Sequence, residues 1–134
     1  MTKIINGENA VLGRLASYAA KEALKGEEIV IVNSEEIIIT GNKQNITANY
    51  VQKRGRVGTS QKGPKHSKLV ERVVKRTVRG MLPNHRSGRG KDALRRIKCY
   101  RGIPKEFEKM KMISFGKDKF NKYVKVGDIS KWIK

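Results

Sequence analysis

Few side chains that commonly do covalent chemistry stand near groups that could activate them. His66 and His85 both lie in basic stretches, and neither has a neighbouring carboxylate in sequence to orient its ring. Cys99 is the single cysteine. It reads as a small core residue rather than a nucleophile, and alone it excludes an intrachain disulfide and a multi-cysteine zinc site. The acidic residues gather mainly in 22–36, where they read as helix-face and strand-end charges, and no spaced pair resembles an acid/base dyad or a metal site. A phosphate loop also fails. Five residues separate Gly7 from Gly13, where a Walker loop has four, and Arg14-Leu15 follows in place of Lys and Ser or Thr. No third glycine completes a dinucleotide fingerprint. No catalytic residue, metal ligand or cofactor is assigned, and no small-molecule substrate is expected.

The recurring constellation is instead cationic residues punctuated by glycine: Lys53-Arg54-Gly55-Arg56, Lys62-Gly63-Pro64-Lys65, Arg79-Gly80 and Arg86-Ser87-Gly88-Arg89-Gly90-Lys91. Glycine lets backbone amides come close to phosphate while the side chains supply charge. The formal net charge is +19, and it is unevenly placed. Residues 1–48 hold 5 basic and 6 acidic side chains, whereas residues 49–101 hold 17 basic and 2 acidic ones. A stretch so one-sided repels itself unless a polyanion neutralises it, and nucleic acid does so with release of condensed counterions. The basic loops contain no Phe, Tyr or Trp, which argues against stacking of single strands as the main mode. With no zinc finger, basic zipper or aromatic RNA-recognition signature, the pattern points to a reader of backbone and shape, such as folded RNA. The candidate phosphate contacts are Lys53, Arg54, Arg56, Lys62, Lys65, Arg72, Arg76, Arg79, Arg86, Arg89, Lys91 and Arg95, with His66 beside them. The plainer alternative for the helix arginines is that they solvate an amphipathic helix.

At 134 residues the chain is expected to form one domain. No apolar run is long enough for a membrane span, and no signal-peptide core is visible. Lys3–Asn6 reads as a short strand, and 10–25 as a helix stopped by Gly26. Gly13, Ala16, Ser17 and Ala20 would give that helix a thin face against a sheet. Ile29–Val32 is a β-branched run fit for a strand buried on both faces, and Glu36–Thr40 is a second such run. Strand, helix, strand is the opening of a parallel βαβ unit. A helix is expected over 42–54 and a basic loop over 55–66. The clearest helix spans 67–81, with Leu69, Val70, Val73, Val74, Thr77, Val78 and Met81 at helical spacing and Lys68, Arg72, Lys75, Arg76 and Arg79 on the other side. Pro83 bars continuation. A turn leads to a short helix near 91–96 and a strand at 97–100. Asp128 can cap a last short helix carrying Ile129, Trp132 and Ile133.

Several of these segments resemble a known family. Arg76-Thr77-Val78-Arg79-Gly80-Met81-Leu82-Pro83, then Gly88-Arg89-Gly90, then Ala93-Leu94-Arg95-Arg96-Ile97-Lys98-Cys99-Tyr100-Arg101-Gly102 resembles the signature of the universal large-subunit ribosomal protein L-thirteen family. Leu12-Gly13-Arg14-Leu15-Ala16-Ser17, Lys25-Gly26-Glu27, Val30-Ile31-Val32-Asn33, Ile39-Thr40-Gly41-Asn42-Lys43 and Gly63-Pro64-Lys65-His66 agree with it. The likeness covers roughly 3–104, and Arg-Gly-Lys-Asp-Ala-Leu at 89–94 looks like the archaeal branch. Where family members often carry a proline shortly after the Gly-Pro-x-His stretch, this chain has Ser67-Lys68, so its entry into the next helix is expected to differ. The tail after about 105 matches no pattern.

The resemblance implies an α/β fold, a three-layer α/β/α domain with a four-stranded parallel sheet. It also implies a non-enzymatic, cytoplasmic protein of the large ribosomal subunit, touching large-subunit ribosomal RNA and neighbouring ribosomal proteins and taking part in subunit assembly. The expected layout is one domain over 1–134, with an RNA-contacting middle at about 49–101 and an extension at about 105–134. Two rivals have different signatures. An α/β enzyme acting on nucleotides or RNA needs a pocket of convergent polar groups near the strand ends. A DNA-binding accessory protein would prefer duplex DNA to structured RNA.

Overall fold

Short apolar runs without polar alternation make strands buried on both faces, and two of them form the centre of this molecule. The computed structural model describes residues 1–56, 66–116 and 121–132. In chain order the elements are β1 (Thr2–Asn6), α1 (Leu12–Leu24), β2 (Glu28–Val32), β3 (Ile38–Thr40), α2 (Lys43–Gly55), α3 (Val70–Gly80), α4 (Gly88–Arg95), β4 (Ile97–Cys99), β5 (Met112–Ser114), β6 (Tyr123–Lys125) and α5 (Val126–Trp132). β1 and β2 pair in parallel, with Ile4 opposite Val30 and Ile5 opposite Ile31, and α1 is the crossover between them. β4 joins β2 and β5 joins β1, both in parallel, so the sheet order is β4-β2-β1-β5. This is the expected α/β architecture with a four-stranded parallel sheet.

The strand period of two sorts the sheet residues between its faces. Ile5, Ile29, Ile31 and Ile97 pack with Leu15, Ala16, Ala19 and Ala23 of α1, Val70, Val74 and Val78 of α3, and Ala93 of α4. Ile4, Val30 and Val32 meet Tyr100, Phe107 and Met112 on the other face. The layer there is a run of tight turns. The Phe107 amide donates to the Pro104 carbonyl at 3.0 Å, and the Met110 amide donates to that of Phe107 at 3.2 Å.

Four local expectations change. The second β-branched run yields only the short β3, which lies outside the parallel sheet and pairs antiparallel with β6. Only a left-handed Asn33 and a 3-10 turn at Ser34–Glu36 precede Ile37 and β3, too short a link for the crossover that parallel pairing needs. The fourth parallel strand is β5, from the tail. Gly13 and Ser17 face solvent. The sheet-facing stripe of α1 is Leu12, Leu15, Ala16, Ala19, Ala20 and Ala23, and the helical period carries 13 and 17 to the outside. Leu69 and Met81 are likewise exposed, because they lie just beyond the ends of α3.

β3, β6, α2 and α5 form a side cluster in which Val124 and Ile129 are buried among Ile39, Ile46, Tyr50 and Trp132. Asp128 lies inside the first turn of α5, and Ile133 lies outside the described residues. Gly26 has φ +100° and ends α1 as expected.

Several charges of this scaffold are matched within it. Buried Glu22 accepts hydrogen bonds from the Lys3 and Lys25 ammonium groups, and Lys125 pairs with Glu36. The bonds from Lys3 and then Lys25 hold the Glu22 carboxyl down to about 2. Burial pushes the Cys99 thiol up to about 12, so it stays protonated and inert as a nucleophile. Among the described residues no helix is long and apolar enough to cross a membrane.

Candidate nucleic-acid interface

The sequence of α3 divides cleanly between core and solvent. Val70, Val73, Val74 and Val78 are buried, which turns Arg72, Lys75, Arg76 and Arg79 outward. No side chain caps the helix at Leu69. The Ser67 hydroxyl instead accepts a hydrogen bond from the Leu69 amide at 3.1 Å and turns the chain into α3.

The last turn of α2, the segment 66–69 and Leu94 of α4 stand around this outer face and enclose a groove of about 870 Å³. Six cations line it: Arg54, Lys68, Arg72, Lys75, Arg76 and Arg79. His66, Ser67, Leu69 and Leu94 complete the lining. A smaller hollow of about 260 Å³ shares His66, Arg76 and Arg79 and adds Tyr50 and Lys53, whose ammonium lies 5.8 Å from the Tyr50 ring centre.

His66 holds two of the arginines. Its backbone carbonyl accepts from Arg54 Nη1 at 2.7 Å, and its ring Nδ1 lies 3.2 Å from Arg76 Nη1. A guanidinium only donates, so Nδ1 is the acceptor and the ring proton sits on Nε2. Burial, then the positive charges of Arg76, Lys53, Arg56 and Arg79, keep the His66 pKa below the ordinary histidine value. The ring is therefore neutral at pH 7, and it adds a contact surface and an acceptor rather than a charge.

Among the described residues no carboxylate lines this groove. The ion pairs among the described residues join the N-terminus to Glu27, Lys3 and Lys25 to Glu22, Lys125 to Glu36, and Lys131 to Asp128. None involves a cation of the groove. No strand-end residue lines the groove either, and the described residues hold no group of three or more His, Cys, Asp or Glu that could bind a metal.

The structure brings Arg54, His66, Arg72, Arg76 and Arg79 into one groove and places Lys53 in the adjoining hollow. Arg56 is exposed just beyond α2. Arg86 on the turn after α3, and Arg89, Lys91 and Arg95 on α4, are exposed but line neither hollow. Lys62 and Lys65 lie outside the described residues. Lys68 and Lys75, which the helical pattern puts on the polar side but which are not among the candidate phosphate contacts, line the groove too. Lys75 was within reach of the spacing, since it stands three residues after Arg72 and four before Arg79. Arg96 is structural: its Nη1 donates to the Ala23 carbonyl at the end of α1, at 3.1 Å.

The glycines divide as well. A Cβ on Gly90 would fall 2.0 Å from the Pro83 carbonyl oxygen. Its lack of a side chain thus serves the protein's own backbone rather than an approaching phosphate. Gly55 and Gly80 face open space.

A family model described as Ribosomal protein L13 matches residues 1–106. The large ribosomal subunit protein uL13 of Methanococcus maripaludis is 44% identical over 97% of this chain and 96% of its own length. Its counterpart in Archaeoglobus fulgidus is 42% identical over 97% of this chain and 86% of its own. That of Methanopyrus kandleri is 46% identical over 78% and 65%. The signature read across 76–102 therefore sits inside an alignment that runs nearly end to end, on the α/β fold it implied, and the chain belongs to the ribosomal protein L13 family.

Proposed function

We propose that the chain is a non-catalytic constituent of the large ribosomal subunit in the cytoplasm. In this reading it binds large-subunit ribosomal RNA through the outer face of α3 and the basic segments beside it, and it supports subunit assembly among neighbouring ribosomal proteins. The observation that carries the reading is a groove lined, among the described residues, by six cations and no carboxylate. Such a surface stays self-repelling until a polyanion enters, and ordered phosphates are its complement. Arginine dominates it, as suits paired hydrogen bonds to phosphate oxygens. The names of the relatives place those proteins in the large subunit and support the same assignment here. Arg56, Arg86, Arg89, Lys91 and Arg95, exposed around the groove, extend the footprint across the basic middle of the chain. The near-neutral first third and β5 of the tail build the sheet against which α3 and α4 pack.

Sucrose-gradient fractionation of native lysate at high magnesium and low salt tests the proposal. The chain should sediment in the heavy-subunit peak and leave it when the RNA is digested. Sedimentation only as free protein would defeat the reading.

A further inference from the structure

The groove on α3 is not cationic throughout. Leu69 is 48% exposed yet lines it, and the half-buried Leu94 and the neutral His66 ring line it too. A phosphodiester strand laid along six cations gains nothing from Leu69 held open to water or from the part-buried Leu94 beside it. An apolar patch inside a charged hollow matches a ligand that carries both negative charge and a flat apolar face.

A nucleotide drawn out of its helix is such a ligand. Its base offers a π-face that stacks on histidine or on a guanidinium plane, and phosphates flank it on both sides. The volume of about 870 Å³ suits a ligand of nucleotide size or somewhat larger. Two hydrogen bonds to His66 already hold Arg54 and Arg76, so part of the wall is set before any ligand arrives.

Resting on the RNA-binding reading above, we propose that this groove seats one nucleotide extruded from folded RNA. The base lies against Leu69, Leu94 and His66, and the flanking phosphates lie on Arg72, Arg76 and Arg79. The protein thereby recognises a bulge, a feature of RNA shape, without reading base edges.

Three RNA hairpins of equal length test this with the full-length chain: one fully paired, one with a single bulged 2-aminopurine, and one with an abasic bulge. The bulged hairpin should bind about fivefold or more tightly than the other two, as expected for a stacked base, and its 2-aminopurine fluorescence should fall on binding. Leu69→Asn should erase the preference, lowering affinity for the bulged hairpin more than for the paired one. Asparagine is a favoured residue at the start of a helix, so this variant keeps α3 intact. Leu94→Ala, with its thermal midpoint measured alongside, should act in the same direction. Equal binding of the three hairpins overturns the proposal and leaves the RNA-binding reading standing. A preference that survives both substitutions also overturns it, because the base would then sit elsewhere. Binding of none of the hairpins counts against both.

Discussion

Charge is used in opposite ways in the two halves of this molecule. In the scaffold, Lys3 and Lys25 converge on Glu22, and Lys125 meets Glu36. In the basic middle, six cations share a groove with no carboxylate among them. Matched charges satisfy each other within the protein and bring no partner. Unmatched ones strain the free protein mildly and store attraction for a polyanion. A count over the whole chain, +19, conceals this division.

Salt separates the halves most strongly. If six to ten basic side chains contact phosphate, RNA affinity should fall roughly 10³–10⁵-fold between 50 and 200 mM salt. Replacing Arg72, Arg76 and Arg79 together with alanine should flatten the log–log salt slope by roughly 2–3. The thermal midpoint of the free protein should hold or rise over the same range, because salt screens the repulsion. Filter binding and a melting series measure the two, and an affinity indifferent to salt would break the comparison.

Core and interface substitutions should then trade places. Leu15 is fully buried under the sheet, and Leu15→Ala should cost about 2–5 kcal/mol of stability, read by chemical denaturation, while the salt slope stays unchanged. Gly90→Ala meets the Pro83 carbonyl and should destabilise by about 1–3 kcal/mol as α4 is displaced. Gly80→Ala meets nothing and, at the end of α3, should be neutral or stabilising by up to about 1 kcal/mol.

The smallest effects come from titration. The Glu22 carboxyl is held at about 2, below its unfolded value, so the stability it contributes is present above about 4.5 and is lost as pH falls towards about 2. Glu22→Gln should flatten the acid-denaturation curve in that window. His66 is also lowered, but it is a base. As pH falls below about 6.5 the unfolded chain takes up the proton first, so stability declines until His66 itself titrates in the fold. Under the proposed RNA binding, phosphate is the source of the missing negative charge. In the RNA complex the His66 ring signal, followed by NMR, should titrate at higher pH than in the free protein. An unchanged or lower value would place His66 away from the phosphates.

How far the sequence could be read follows from which signals are local. α1 and α3 were legible because their apolar residues recur at helical spacing over several turns. The buried strands β1 and β2 were legible as β-branched runs bounded by glycine or turn residues. β5 was not: Met112–Ser114 is three residues long and shows neither alternation nor an apolar run of strand length. The groove was half legible. Spacing put Arg72, Arg76 and Arg79 on one face of α3. It did not show that Arg54, twelve residues before His66, would reach the His66 carbonyl, or that Leu69 and Leu94 would line the same groove.

The sequence alone determined the α/β class, the parallel opening unit, the outward cations of α3 and the one-sided positive charge of the middle, because each follows from periodicity or from summed charge along adjacent residues. Only tertiary structure decided that β3 leaves the main sheet and the tail supplies its fourth strand. Only it decided that Gly90 serves a backbone contact, and that six cations and two leucines share one hollow. These outcomes depend on partners far apart in the chain, chosen by close packing and by the geometry of crossovers, and no local pattern of residues records them.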